Sequence, residues 1–475
     1  MKEIKNTALL AFICEPSETT LAVTNPASGE LLCHIPTQTE EEINTIIERS
    51  ALAQKEWKNT TAKHRSTILN NWYQLLMENQ DDLGRIMTLE QGKPLVEAKG
   101  EVAYGASFVE WFAEEGKRIY GDTIPAHTGD RRLMTIKQPV GVASAITPWN
   151  FPIAMITRKA APALAAGCSF IGKPANQTPL SAYAVVELAY QAGIPKDLLR
   201  LVVNHSSRLV GEIFCNSTTI RKMSFTGSTA VGSQLIAQCA KTVKRVSMEL
   251  GGNAPFVVFD DADIDAAVAG AIASKFRNAG QTCVCANRLY VHDDVYDQFM
   301  GQFIEAVSQL KIGNGLDEGV NIGPVIDQNA KEGINKLIAK AVEQGATLAY
   351  GGSPREGLFV EPTVLTDVEQ SMDIVQEEIF GPVAPVIRFR TDEELIQKAN
   401  DTVYGLAAYF YSRDIGRIVK VSEALEYGMV GINEGIISTE VAPFGGVKQS
   451  GFGREGGKEG IEEYLDTKYL CYGGV

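Results

Sequence analysis

Residues 275–288 read KFRNAGQTCVCANR and set Cys283 in a polar, glycine-containing turn, not in an apolar periodic run. A thiol in such a turn can be reached from solvent, and its thiolate is the strongly nucleophilic form. Upstream, Met248-Glu249-Leu250-Gly251-Gly252-Asn253 offers a carboxylate at a strand end beside two glycines. Further upstream, Thr147-Pro148-Trp149-Asn150-Phe151-Pro152 offers a side-chain amide held between two prolines. A nucleophile (Cys283), a base (Glu249) and an oxyanion donor (Asn150) thus come from three strand-to-loop junctions. A single cysteine is more often a small buried hydrophobe than a catalyst. The coincidence of all three stretches is what points to chemistry.

Those junctions need elements behind them. Between Gly141 and Gly252 short apolar runs alternate with helical ones. Strands are expected at 141–147, 169–173, 198–203, 221–225 and 245–250, with helices at 153–166, 180–192, 207–214 and 229–240. Such alternation implies a parallel sheet that holds its ligand at the carboxyl ends of the strands. Phe225-Thr226-Gly227-Ser228-Thr229 reads as strand, small-residue turn and helix start, which suits a pyrophosphate resting on backbone N–H groups. Lys173 follows a strand directly and could reach an adenosine ribose or its phosphate.

A second alternating unit follows Gly252. It has a strand at 256–259, a helix at 264–276, then the cysteine turn. Further strands are expected at 288–291, 363–365, 383–389 and 407–411, with helices at 295–310 and 330–344. The glycine pair 251–252 suits a hinge-like link, because glycine permits unusual backbone angles. Residues 40–120 read as helical, and their Trp and Tyr residues as core packing. Residues 121–139 suggest a protruding hairpin, and 464–472 a second exposed strand in need of a partner edge. Gly451-Phe452-Gly453-Arg454-Glu455-Gly456 satisfies G-x-G-x-x-G literally, but no clear strand precedes it, so it is read as a loop.

Bulk properties narrow the classes. A length of 475 residues suits about three domains. A net charge of −14 argues against nucleic acid, and it means that an anionic substrate or dinucleotide must find local cations inside the site. The eight cysteines (14, 33, 168, 215, 239, 283, 285 and 471) show no framework of spacings, which fits free thiols in a reducing cytoplasm. No apolar run is long enough to cross a membrane, and no membrane partner is expected. The five histidines are isolated and no metal-ligand spacing appears, so no metal is expected.

GQTCVCANR (280–288), MELGGNAP (248–255) and TPWNFP (147–152) resemble signature segments of the aldehyde dehydrogenase superfamily. So do GKPANQTP (172–179), SFTGST (224–229), EEIFGPV (377–383) and APFGGVKQSG (442–451), all in the family's order along the chain. The resemblance implies an α/β fold with two doubly wound parallel-sheet domains and a small β oligomerisation arm. Residues 1–120 and 140–250 would form the dinucleotide-binding domain, 251–450 the catalytic domain, and 121–139 with 464–475 the arm of a homo-oligomer, a dimer or tetramer. It also implies roles. Cys283 adds to an aldehyde as thiolate, Asn150 and the Cys283 N–H hold the oxyanion, hydride leaves for a nicotinamide, and Glu249 activates water to hydrolyse the thioester. Trp149, Lys173, Asn176, Gly227, Ser228, Glu378 and Phe380 would hold the cofactor.

Within the superfamily, KFRNAGQTCVC and GIISTEVAPFGG look most like succinate-semialdehyde dehydrogenases. There, arginines matching Arg158 and Arg277 and a serine matching Ser438 grip the distal carboxylate, a task suited to a guanidinium fork. The helix after Phe151 is otherwise apolar, so a guanidinium at Arg158 needs a buried anion. Oxidation of succinate semialdehyde to succinate is the expected reaction. Glutarate semialdehyde is the alternative, because one methylene discriminates by only about 10- to 200-fold. Asn176 is neutral where NAD-preferring relatives often carry glutamate, so NADP is favoured over NAD. Relatives with the C-V-C spacing imply a reversible disulfide between Cys283 and Cys285.

Overall fold

The computed structural model describes residue 1 and residues 3–475. Two open sheets and a separate arm organise the chain. The first sheet has six strands in the order Gly451–Phe452, Arg245–Glu249, Ile220–Thr226, Val142–Ile146, Ser169–Lys173 and Leu199–Leu201. All its neighbours are parallel except the two-residue edge strand, in which Gly451 pairs with Glu249 and Phe452 with Met248. The segment read as a loop at 451–456 is therefore the edge of this sheet. Two residues bounded by left-handed glycines are too short to carry a strand period, and their partner lies some 200 residues upstream.

The second sheet has seven strands, ordered Thr347–Tyr350, Thr363–Thr366, Val383–Phe389, Ala286–His292, Ala254–Val258, Ala407–Tyr411 and Met429–Ile432. It is parallel apart from the first pair. Its central strands are buried on both faces, which is why they read as continuous apolar runs in the sequence. Arg131–Pro139 lies between Leu465–Gly473 and Thr123–Ile124 in an antiparallel three-stranded sheet.

Helices cover both main sheets. The N-terminal helical region resolves into Glu40–Trp57, Ala62–Glu78, Gln80–Gln91 and Leu95–Glu115. The first begins in a full capping box, Thr39 with Glu42, and the third ends on left-handed Gly92. Helix Leu95–Glu115 packs on Ala154–Ala166 so closely that a Cβ on Gly105 would lie 2.8 Å from Ile153 and 3.1 Å from the Thr157 hydroxyl. Among the described residues no helix is long and apolar enough to cross a membrane, and no cluster of potential metal ligands occurs.

The glycine pair 251–252 lies between the two sheets. Neither residue has a left-handed φ. Both are small because of what they face. A Cβ on Gly251 would sit 2.8 Å from a Glu378 carboxylate oxygen, and one on Gly252 would overlap the Cys283 carbonyl.

Candidate active site

A cavity of about 230 Å³ opens between the two sheets. Its wall includes Trp149, Asn150, Gly227, Ser228, Gly251, Cys283, Glu378 and Phe380, from five of the segments singled out above, while 172–179, Ser438 and 442–451 do not line it. Those of the first sheet arrive from the carboxyl ends of its strands, whereas Cys283 and residues 378–380 lie in the helix-to-strand turns that lead into Ala286–His292 and Val383–Phe389, so the cysteine turn is not the strand-to-loop junction expected of it. Val142–Ile146 delivers 147–150, Ile220–Thr226 delivers Gly227 and Ser228, and Arg245–Glu249 delivers Glu249 and the glycines.

Cys283 is half-buried on this wall. The loop before it holds Asn278, Ala279 and Gly280 at φ of 51°, 54° and 72°, a run of left-handed residues that is costly outside glycine. Surrounding bonds fix it. The Asn278 N–H donates to Glu97 (2.8 Å), and the Asn278 amide donates to the Asn150 carbonyl (3.1 Å). Lys93 donates to the same carbonyl (2.7 Å) and to Glu101 (2.5 Å), while Glu101 accepts from the Ile153 N–H (2.9 Å). The Asn150 amide nitrogen gives one proton to the Gln281 carbonyl at 2.9 Å. This leaves a second amide proton for a ligand.

Burial pushes the Cys283 thiol up to about 12, with Arg158 pulling it down and Glu378 and Glu249 pushing it up. Burial also lifts Glu249 well above the ordinary carboxylate range, helped by repulsion from Glu455 and opposed by Arg158 and Lys159. One Glu249 oxygen is sealed without a hydrogen-bond partner. Glu455 itself stays below the ordinary value, because the two cations outweigh the burial that would raise it.

Glu455 was invisible to sequence reasoning, and it revises the reading of Arg158. The Arg158 side chain is 1% exposed and ion-paired with Glu455, which also pairs with Lys159. The buried anion that the guanidinium needs is thus supplied within the chain. Arg158 also lies over the Phe444 ring, at 4.4 Å. Its Nη2 remains sealed without an acceptor. Arg277 is half-buried beside the Phe151 ring, at 5.4 Å, and lines a second cavity with Glu97 and Ile436. Ser438 is half-buried in the irregular segment that follows Ile436.

Cys285 is buried. Its thiol turns to the Lys275 carbonyl at 3.3 Å, beneath the cavity wall. Residues two apart in a turn point in different directions, so the C-V-C spacing does not by itself bring the sulfurs together. The sulfurs that touch are those of Cys215 and Cys239, at 3.4 Å, both buried. All eight cysteines are free.

The residues present suit a dinucleotide. A Cβ on Gly227 would lie 2.5 Å from the Phe225 ring, so only glycine leaves the turn open before helix Thr229–Cys239, which Ser228 caps. Glu378 accepts the Gly252 N–H at 2.9 Å, and burial raises it to about 7. Phe380, at φ 50°, meets Trp149 edge-on at 5.6 Å. On the next strand, Lys173 is lowered to about 8 by burial. Its ammonium donates to the Asn176 side chain (3.0 Å) and the Ser207 hydroxyl (2.7 Å). Arg208 is instead exposed and paired with Glu212.

The comparisons with known proteins agree with this geometry. Residues 13–470 match the aldehyde dehydrogenase family. The chain is 60% identical over 453 residues to the succinate-semialdehyde dehydrogenase [NADP(+)] GabD of Escherichia coli K12, covering 95% of this chain and 94% of that one. It is 59% identical over 452 residues to the glutarate-semialdehyde dehydrogenase of Pseudomonas putida KT2440, with the same coverage. A crystal structure of an aldehyde dehydrogenase from Brucella melitensis biovar abortus 2308 superposes with a TM-score of 0.98, at 56% identity and full coverage of both chains. With motifs, sheet order and full-length similarity in accord, this chain belongs to the aldehyde dehydrogenase family.

Proposed function

We propose that this enzyme oxidises succinate semialdehyde to succinate with NADP or NAD. The carrying observation is the cavity that joins the Cys283 thiol and the Asn150 amide to Gly227, Glu378 and Phe380, with two guanidiniums close behind. The Cys283 thiol, held protonated by burial, gives its proton by way of Glu249 to solvent as its sulfur adds to the aldehyde carbon. The Asn150 amide donates its free proton to the resulting oxyanion, a contact of a kind that is worth about 100- to 1000-fold in rate. A bound nicotinamide would supply the acceptor for the hydride that leaves as the oxyanion collapses. The thioester left on Cys283 is then hydrolysed by water whose proton passes to Glu249. A carboxyl raised by burial and by Glu455 is a stronger base than an ordinary one, which suits that step.

Lys173, Asn176, Gly227, Ser228, Trp149, Glu378 and Phe380 are the proposed cofactor contacts. Arg277, Ser438 and the open Nη2 of Arg158 are the proposed contacts to the distal carboxylate. The first sheet with residues 1–120 would bind the dinucleotide, and residues 251–450 would carry catalysis. The three-stranded sheet would join copies of the chain into a homo-oligomer in a reducing cytoplasm.

The glutarate-semialdehyde relative, at nearly the same identity, supports the five-carbon acid as second reading. Initial rates at 340 nm decide. Succinate semialdehyde should turn over with NADP at least as fast as with NAD, and faster than glutarate semialdehyde. Faster turnover of the five-carbon acid would move the assignment, and no turnover of either would refute it.

A further inference from the structure

Helix Leu95–Glu115 carries Tyr104, a residue that reads in the sequence as one more core aromatic. Its ring packs edge-on against Phe108, with centroids 5.0 Å apart, as a core residue would. Its hydroxyl does not behave as one. The oxygen is sealed from solvent and has no hydrogen-bond partner, whereas buried tyrosines ordinarily find one.

The helix fixes what surrounds that hydroxyl. Next to Tyr104, Gly105 lets the backbone approach Ile153, Ala154 and Thr157, so Tyr104 stands level with Arg158 on the adjoining helix. Two turns earlier on the same helix, Glu97 accepts the Asn278 N–H, the residue after Arg277. One turn later, the Ser107 hydroxyl lies 2.8 Å from the Tyr104 carbonyl and 3.1 Å from Glu440, in the segment that carries Ser438. The helix that carries Tyr104 thus touches, through Gly105, Glu97 and Ser107, the three elements that bear Arg158, Arg277 and Ser438. Burial raises the Tyr104 phenol, and the charges of Arg158 and Arg277 are the main forces opposing that rise. Arg158 acts on that phenol by charge and by its side chain, and its Nη2 is also sealed without an acceptor.

Two donors sealed without an acceptor, beside a second guanidinium, call for an anionic oxygen. We propose that the Tyr104 hydroxyl donates to the distal acid group of the aldehyde and is a specificity-determining residue, completing a clamp with Arg158 and Arg277. This rests on the semialdehyde reading above. The hydroxyl adds what the arginines lack. It is a neutral donor with a fixed direction, and it favours substrates that end in an acid over uncharged aldehydes of equal length.

The test compares succinate semialdehyde with butanal, the uncharged four-carbon aldehyde, in the full-length wild type and in Tyr104→Phe. The phenylalanine protein should lose about 10- to 100-fold in kcat/KM on succinate semialdehyde, carried mainly by KM. Its kcat/KM on butanal should stay within about twofold of wild type, because that substrate offers the phenol no acceptor. Tyr104→Met keeps a long apolar side chain on the helix and should collapse the acid-to-neutral ratio in the same way, should the phenylalanine protein not fold. A wild type that strongly prefers the acid, with variants whose ratio is unmoved, overturns the role of Tyr104 alone. A wild type that handles butanal as well as succinate semialdehyde overturns the substrate reading, and the Tyr104 proposal with it.

Discussion

At the scale of single residues, the cofactor pocket gives the sharpest expectations. Lys173 is surrounded by neutral partners, Asn176 and Ser207, that do not oppose a phosphate. Asn176→Glu places a carboxylate against that lysine. It should lower kcat/KM for NADP at least about tenfold in steady-state assays while changing NAD far less, since like charges at short range cost more than about 1 kcal/mol. The sign of the pH effect follows from the same lysine. Burial lowers it to about 8, so it is an ammonium below that pH and a neutral amine above it. Because kcat/KM reports the free enzyme, kcat/KM for NADP should fall as pH rises through about 8, with a smaller fall for NAD. Parallel profiles for the two cofactors would remove Lys173 from phosphate recognition. The expected disulfide has its own check. If peroxide inactivates through Cys283 and Cys285, a dithiol restores activity and Cys285→Ala loses that rescue. Mass spectrometry that finds Cys215 joined to Cys239 instead would move the redox chemistry to the sulfurs already in contact.

At the scale of elements, the legible and the illegible separate on physical grounds. Strands such as Ser169–Lys173 and Val383–Phe389 were readable because burial on both faces leaves uninterrupted apolar runs. The site residues in the turns beside the strands were readable because catalytic chemistry selects unusual neighbours, a polar cysteine turn or an amide between prolines. The edge strand Gly451–Phe452 and the ion pairs of Glu455 were not, because each depends on a partner hundreds of residues away that leaves no local period. Arg158 shows the gap well. Its need for an anion was evident from its apolar helix, but not that the anion came from the other end of the chain. The glycine pair likewise stood out in the sequence, but not the Glu378 carboxylate and the Cys283 carbonyl that leave it no room for a Cβ. Two measurements follow. Gly252→Ala should abolish most activity while the protein still folds, because the added methyl displaces the Cys283 carbonyl. Glu455→Gln leaves Arg158 and Lys159 buried without a countercharge and should cost about 3–5 kcal/mol in denaturant unfolding. It should also lower the Glu249 titration, since a repelling neighbour is gone.

At the scale of the whole molecule, the three-stranded arm leaves Leu465–Gly473 as an outer strand with Tyr469 and Tyr472 exposed. A long edge of that kind invites another chain. Light scattering should therefore give a multiple of 51.5 kDa. Tyr469→Lys combined with Tyr472→Lys should shift the mass toward a single chain, and a wild type already monomeric at micromolar concentration would end the idea. The return of residues 451–455 to the first sheet has a consequence in time as well as in space. On a ribosome, the thiol at 283 emerges long before Glu455 does, and early segments begin to fold before late ones exist. Until the late segment docks, Arg158 and Lys159 have no countercharge and the Gly451–Glu249 pairing is unmade. A chain whose residues 451–455 have not yet docked therefore carries its nucleophile in an unfinished pocket.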